Sequence, residues 1–181
     1  MKSIGDNALK NFSDLTYVEI PDGVTSIGSN AFEDCTQLRN IVLPNSVTSI
    51  GNAAFCGCSN LMSVTWSDAL TSIPYNAFEA TAIRKLDMGG RITSIANSAF
   101  RDCKSLRTIK CSPALSTIGE YAFHGCSALE SVEFNEGLRT IGLYAFGYCS
   151  SLVEVIFPAS LEYCEIGCPI CCANTLHISL I

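Results

Sequence analysis

Cysteine and histidine are the residues of this chain with the most chemistry to offer: eleven Cys and two His in 181 residues. Six of the cysteines, Cys35, Cys58, Cys103, Cys126, Cys149 and Cys172, occupy one recurring slot. Side chains in such a column point the same way, whereas a disulfide needs two thiols turned toward each other, so buried free thiols are expected. Thr81 fills the slot in the coil that lacks Cys, which suits a small, packed position. Cys56-Gly57-Cys58 and the cluster Cys164, Cys168, Cys171 and Cys172 raise the question of zinc. Only Cys168-Pro169-Ile170-Cys171 forms a Cys-x-x-Cys hook, and it stands alone, so no metal and no other cofactor is expected. His124-Gly125-Cys126 invites a thiol–base reading, but Cys126 falls in the core column and His124 in an outward-facing variable slot, so the two should point apart. No Gly-rich phosphate loop, Gly-x-Ser-x-Gly or His-Glu-x-x-His is present, and no catalytic residue is assigned.

These residues are placed by a repeat. Ile-Gly-x-x-Ala-Phe-x-x-Cys runs from Ile27 to Cys35, Ile50 to Cys58, Ile118 to Cys126 and Ile141 to Cys149, with degenerate copies at Ile73 and Ile95. The leading Ile falls at 4, 27, 50, 73, 95, 118 and 141, a 23-residue period that loses one residue once. Between these blocks recurs Leu-x-x-apolar-x-apolar, as in Leu15/Val18/Ile20, Leu38/Ile41/Leu43, Leu106/Ile109/Cys111 and, weakly, Thr175/Ile178/Leu180. Its alternation predicts one short strand per unit. Pro21, Pro44 and Pro158 follow three of these phrases and predict turns. A second short extended stretch, such as Val47-Thr48-Ser49-Ile50, comes next. The Ala-Phe block after it predicts a single turn of 3₁₀ or α-helix. One coil cannot bury its own apolar side, but stacked coils share continuous columns.

The phrase Leu-x-x-Ile-x-Leu-Pro-x-x-Val-Thr-Ser-Ile-Gly-x-x-Ala-Phe-x-x-Cys, matched nearly slot for slot by residues 38 to 60, resembles the BspA-like, or Treponema-type, leucine-rich repeat. The resemblance runs from Met1 to about Leu161. It implies an α/β repeat solenoid, a right-handed arc with a parallel concave sheet of about seven or eight short strands and short strands or 3₁₀ turns on the convex side. One domain, 1–181, is expected, with a last unit that decays from about residue 162, where Cys168 and Pro169 replace Ala and Phe. Family members are mostly associated with adhesion to host or neighbouring cells.

Residues between the core positions of each strand phrase point away from the core and form columns across the coils. The candidate binding surface on this expected concave side comprises Tyr17, Glu19, Asn40, Ser63, Thr65, Arg84, Lys85, Asp87, Arg107, Thr108, Lys110, Ser131 and Glu133. At its centre lies a band from Arg84 to Lys110 of net +5, in a chain whose total is −6. The alternative is that these charges pair with one another for solubility. Trp66 and Phe134 fall in a core slot and are read as packing.

The acidic balance argues against nucleic acid as partner. No apolar run is long enough to span a bilayer. The leading reading is a non-catalytic protein-interaction or adhesion module with a host-matrix or cell-surface protein as ligand, a monomer or associating end to end through uncapped termini. The alternatives are an intracellular scaffold and a thiol- or metal-dependent activity at the C-terminal cysteines. A segment of a longer exported chain would sit at the cell surface or be secreted; a chain starting at Met1 without an export signal would be cytoplasmic.

Overall fold

The structure, a computed structural model, describes residues 2–165 and the strand His177–Leu180. Cys168, Cys171 and Cys172 lie outside the described residues. Coils of about 23 residues stack in parallel register and contribute strands to two faces. The longer strands are β3 (Asn40–Val42), β5 (Ser63–Thr65), β7 (Lys85–Asp87), β9 (Thr108–Lys110), β11 (Ser131–Glu133), β13 (Glu154–Phe157) and β15 (His177–Leu180). The two-residue strands of the second face are β1 (Ser3–Ile4), β2 (Ser26–Ile27), β4 (Ser49–Ile50), β6 (Ser72–Ile73), β8 (Ser94–Ile95), β10 (Thr117–Ile118), β12 (Thr140–Ile141) and β14 (Tyr163–Cys164). Every pairing is parallel and in step with the repeat: Ser26 faces Ser49, and Ile109 faces Val132. This is the repeat solenoid the sequence predicts. The first phrase, Leu15 to Ile20, departs from expectation by forming no strand.

The third side of each coil corrects the expectation of a helical turn, because no helix occurs among the described residues. Each Ala-Phe block holds two non-helical residues of positive φ, four apart: Asn30 and Asp34, Ala53 and Gly57, Ser98 and Asp102, Tyr144 and Tyr148. Left-handed residues interrupt helix propagation. Alternate amides therefore serve different partners. Within the coil, Glu33 N donates to Asn30 O at 3.2 Å and Cys35 N to Phe32 O at 3.1 Å. Between coils, Asn30, Phe32 and Asp34 donate to Asn52 O, Ala54 O and Cys56 O at 2.8–2.9 Å. The turns thus form a third ladder, repeated from coil to coil, which a helix would forfeit by turning all its amides inward.

Inside the triangle lie columns of identical side chains. Phe32, Phe55, Phe78, Phe100, Phe123 and Phe146 stack with centroids 5.1–5.5 Å apart and planes within 14°, an offset arrangement that adds to the burial of each ring. Ala31, Ala54, Ala77, Ala99, Ala122 and Ala145 are fully buried beside them. Gly28, Gly51, Gly119 and Gly142, which follow second-face strands, lie close against the preceding coil. A Cβ on Gly51 would lie 2.3 Å from Ser29 N, and one on Gly28 2.5 Å from Asp6 N.

Neither sheet is continuous. On the second face β1, β2 and β4 form one sheet and β6, β8, β10, β12 and β14 another. The parting falls where Pro74 replaces the glycine. Gly28, Gly51, Ala96, Gly119 and Gly142 each donate an amide to the strand before, as Gly51 N does to Ile27 O at 2.8 Å, and proline has no N–H to donate. The longer strands divide into β3–β5, β7–β9–β11 and β13–β15. The first of these partings coincides with the shortened interval: Val64 and Leu86, which occupy the same slot, are 22 residues apart.

Candidate functional site

The three-stranded panel β7–β9–β11 gathers the centre of the predicted surface. Leu86 and Ile109 point inward and are buried, and Val132 beside them is half-buried. Alternation then forces Lys85, Asp87, Thr108, Lys110, Ser131 and Glu133 outward. Register places Lys85 beside Thr108 and Ser131, and Asp87 beside Lys110 and Glu133. Together with Ile109 these six line a shallow hollow of about 300 Å³.

The other predicted residues are distributed elsewhere. Asn40, Ser63 and Thr65 lie on the separate β3–β5 pair, where Ser63 Oγ donates to Asn40 Oδ1 at 2.6 Å. Tyr17 and Glu19 are exposed but belong to no strand. Arg84 is exposed beside the panel, while Arg107 is engaged by Glu130, one coil on, at 2.5 Å.

The central charges form no ion pairs with one another, contrary to the alternative reading of the surface. Among the described residues, ion pairs join Lys10 to Glu33, Arg101 to Asp102, Arg107 to Glu130 and Arg139 to Glu162. Lys85, Asp87, Lys110 and Glu133 take part in none, although Asp87, Lys110 and Glu133 are successive neighbours in one row. Asp87 Oδ1 accepts a long bond from Gly89 N at 3.4 Å. The panel is a set of alternating charges on a packed frame, open to solvent.

The thiols of the repeat column are packed into the core among the described residues. Cys35, Cys58, Cys103, Cys126 and Cys149 are buried and free. Each donates to a main-chain carbonyl of the preceding coil, as Cys58 Sγ does to Phe32 O at 3.0 Å and Cys126 Sγ to Phe100 O at 3.3 Å. Burial pushes the Cys149 thiol up to about 12 and that of Cys58 higher still, which suppresses the nucleophilic thiolate. Cys56, half-buried and near Glu79 and Glu33, is pushed up to about 11 by burial and then by those carboxylates. No group of three or more His, Cys, Asp or Glu able to hold a metal ion occurs among the described residues.

His124 is less exposed than its variable slot suggests. Tyr121 and Tyr148 contact its ring edge to face, with centroids 5.4 and 5.0 Å away, and its Nδ1 is buried without a partner. Tyr121, Tyr144 and Tyr148 all hold positive φ, in slots filled elsewhere by Asn, Asp, Ala, Ser or Gly. The 23-residue spacing of Tyr121 and Tyr144 was the available signal for this cluster, and sequence reasoning missed it.

A parallel solenoid with inward Leu, Ile, Ala, Phe and Cys columns is a leucine-rich-repeat architecture. The model of the BspA type leucine-rich repeat region matches residues 1–107 and 71–180 in six copies, and the chain belongs to that family. It is similar to a leucine-rich repeat protein from Eubacterium ventriosum, with 27% identity and a TM-score of 0.78 over 85% of this chain and 42% of that one. A leucine-rich cell surface protein from Faecalibacterium prausnitzii shares the fold at 22% identity and a TM-score of 0.61, covering 99% of this chain and 70% of its own. The leucine-rich repeat protein of T. pallidum aligns at 27% identity and a TM-score of 0.53, over 88% of this chain and 61% of that one. The chain thus spans less than half of the Eubacterium ventriosum protein. No curated protein matches the sequence. No helix among the described residues is long and apolar enough to cross a membrane.

Proposed function

We propose that this chain is a non-catalytic binding module of the adhesive kind, with the β7–β9–β11 panel as the surface that meets a protein partner. The observation that carries the reading is the unpaired state of Lys85, Asp87, Lys110 and Glu133, when three cations elsewhere have found a carboxylate one coil away. Charges held apart on a rigid sheet keep their interaction capacity for a partner and pay little ordering entropy on binding. The family and the cell-surface relative support a partner on a matrix or a neighbouring cell. Reversing the two lysines together, Lys85→Glu with Lys110→Glu, should weaken capture of the partner from matrix and cell-surface extracts by about tenfold. Far-ultraviolet dichroism should stay unchanged. Full capture by the folded double variant would remove the panel from the reading.

A further inference from the structure

The parting between β5 and β7 leaves a second feature, which adjoins the panel's own hollow and shares Asp87 with it. Where a longer-strand pairing continues, the amide after the strand donates onward: Leu43 N to Thr65 O at 2.9 Å, Met88 N to Lys110 O at 3.3 Å, Cys111 N to Glu133 O at 3.0 Å. Trp66 N, in the same slot, makes no such bond. The seam is bridged nearby by one long contact, Arg84 N to Met62 O at 3.4 Å. Beside it the turn slot filled elsewhere by Pro44, Ser67, Ser112, Asn135 or Pro158 holds Gly89, followed by Gly90, and a Cβ on either would meet nothing within 4 Å. The result is a notch of about 300 Å³ walled by Trp66, Asp68, Asp87, Gly89, Gly90 and Arg91.

We propose that this notch binds a neutral pyranose residue of a glycan. Trp66 packs edge to face on Phe78, with centroids 5.2 Å apart, so its indole is a fixed wall with an apolar surface suited to sugar C–H groups. Asp68, Asp87, Arg91 and the unengaged Trp66 amide supply acceptors and donors for hydroxyls. Arg91 forms no ion pair. Asp68 and Asp87 outweigh Arg91 by one charge and so disfavour an anion, while Arg91 offsets part of their attraction, and that of the indole, for a cation. A polyhydroxylated, uncharged ring uses both kinds of group without either penalty.

Trp66 is the sole tryptophan of the chain, so emission excited beyond the absorption of tyrosine reads this site alone. The probes are lactose, maltotriose and chitotriose, with arginine methyl ester and inorganic phosphate as charged controls. A glycoprotein assayed before and after enzymatic deglycosylation distinguishes a protein-borne glycan from a free oligosaccharide. The expected result is a saturable emission change with at least one saccharide. It should weaken about tenfold or more in Gly90→Leu, which fills the open notch, and in Arg91→Met, which removes a hydroxyl partner, with urea midpoints confirming that both fold. A flat response to all three saccharides overturns the proposal, as does a response confined to the charged controls. So does saccharide binding that persists undiminished in folded Gly90→Leu.

Discussion

Burial suppresses the acidity of the Cys58, Cys126 and Cys149 thiols and the basicity of the His124 imidazole, whereas at Cys103 burial is outweighed by hydrogen bonds from Cys126 and Thr81, which shift it the other way. The thiol column serves as a set of small hydrogen-bond donors, each giving a second bond to a carbonyl that already accepts an amide within its own turn. His124 is the residue where the same physics becomes measurable. Its pKa lies below the ordinary 6.5, chiefly because burial disfavours the imidazolium and next because Arg101 repels it, with Asp102 opposing. The folded state therefore binds this proton less well than the unfolded chain. The contribution to stability is fully present above the unfolded value and is lost as pH falls from there through the folded one. Between pH 7.5 and 5.5 the thermal midpoint should drop, and His124→Gln, which cannot titrate, should flatten that part of the profile. Equal slopes for the two proteins would show that the folded imidazole takes up its proton as readily as the unfolded one.

For the elements, the close approach of successive coils is the constraint that admits least substitution. Gly51→Ala places a methyl 2.3 Å from a backbone nitrogen that no rotamer change can move, and should cost about 3 kcal/mol by displacing one coil from the next. Gly90→Ala, set in open space, should stay within about 0.5 kcal/mol of the parent. Urea denaturation midpoints compare the two, and coincident midpoints would mean that the coils yield more easily than the packing implies. The strand phrases and the inward columns were legible because period-2 and 23-residue patterns appear directly in apolar residues. The turn ladder was not, since its left-handed slots are shared among Asn, Asp, Ala, Ser, Gly and Tyr and so present no single residue type to notice. The Pro74 parting was legible in principle from the missing N–H. Its effect became visible only with the knowledge that the glycine slot donates across the ladder.

Taken as a whole molecule, the solenoid is held by three ladders of unequal continuity. The turn ladder crosses both the β4–β6 and the β5–β7 junctions, through Phe55 N to Ala77 O and Phe78 N to Ala99 O, each at 2.8 Å, and the phenylalanine stack runs beside it without a gap. The two sheets part at adjacent coils on the other faces. Each of these two junctions is therefore linked on two sides, by the turn ladder with β3–β5 at the first and with β6–β8 at the second, where a nearest-neighbour array is otherwise linked on three. The basic band was legible in the sequence as a charge run. Which of its members stay open was not, because that depends on the residue one coil away: Arg107 meets Glu130, whereas Arg84 meets Arg107 and Lys85 meets Thr108. The parting makes a prediction at this scale. Amides bonded across intact strand pairs should be protected from hydrogen exchange by the stability of the stack, whereas Trp66 N, at the seam and without a main-chain partner, needs only a local fluctuation. In native-state exchange its amide should be replaced well before those of Leu43 and Cys111, which occupy the same slot in neighbouring coils. Equal protection at all three positions would mean that the β5–β7 seam is closed in solution and that the sheet runs unbroken from β3 to β11.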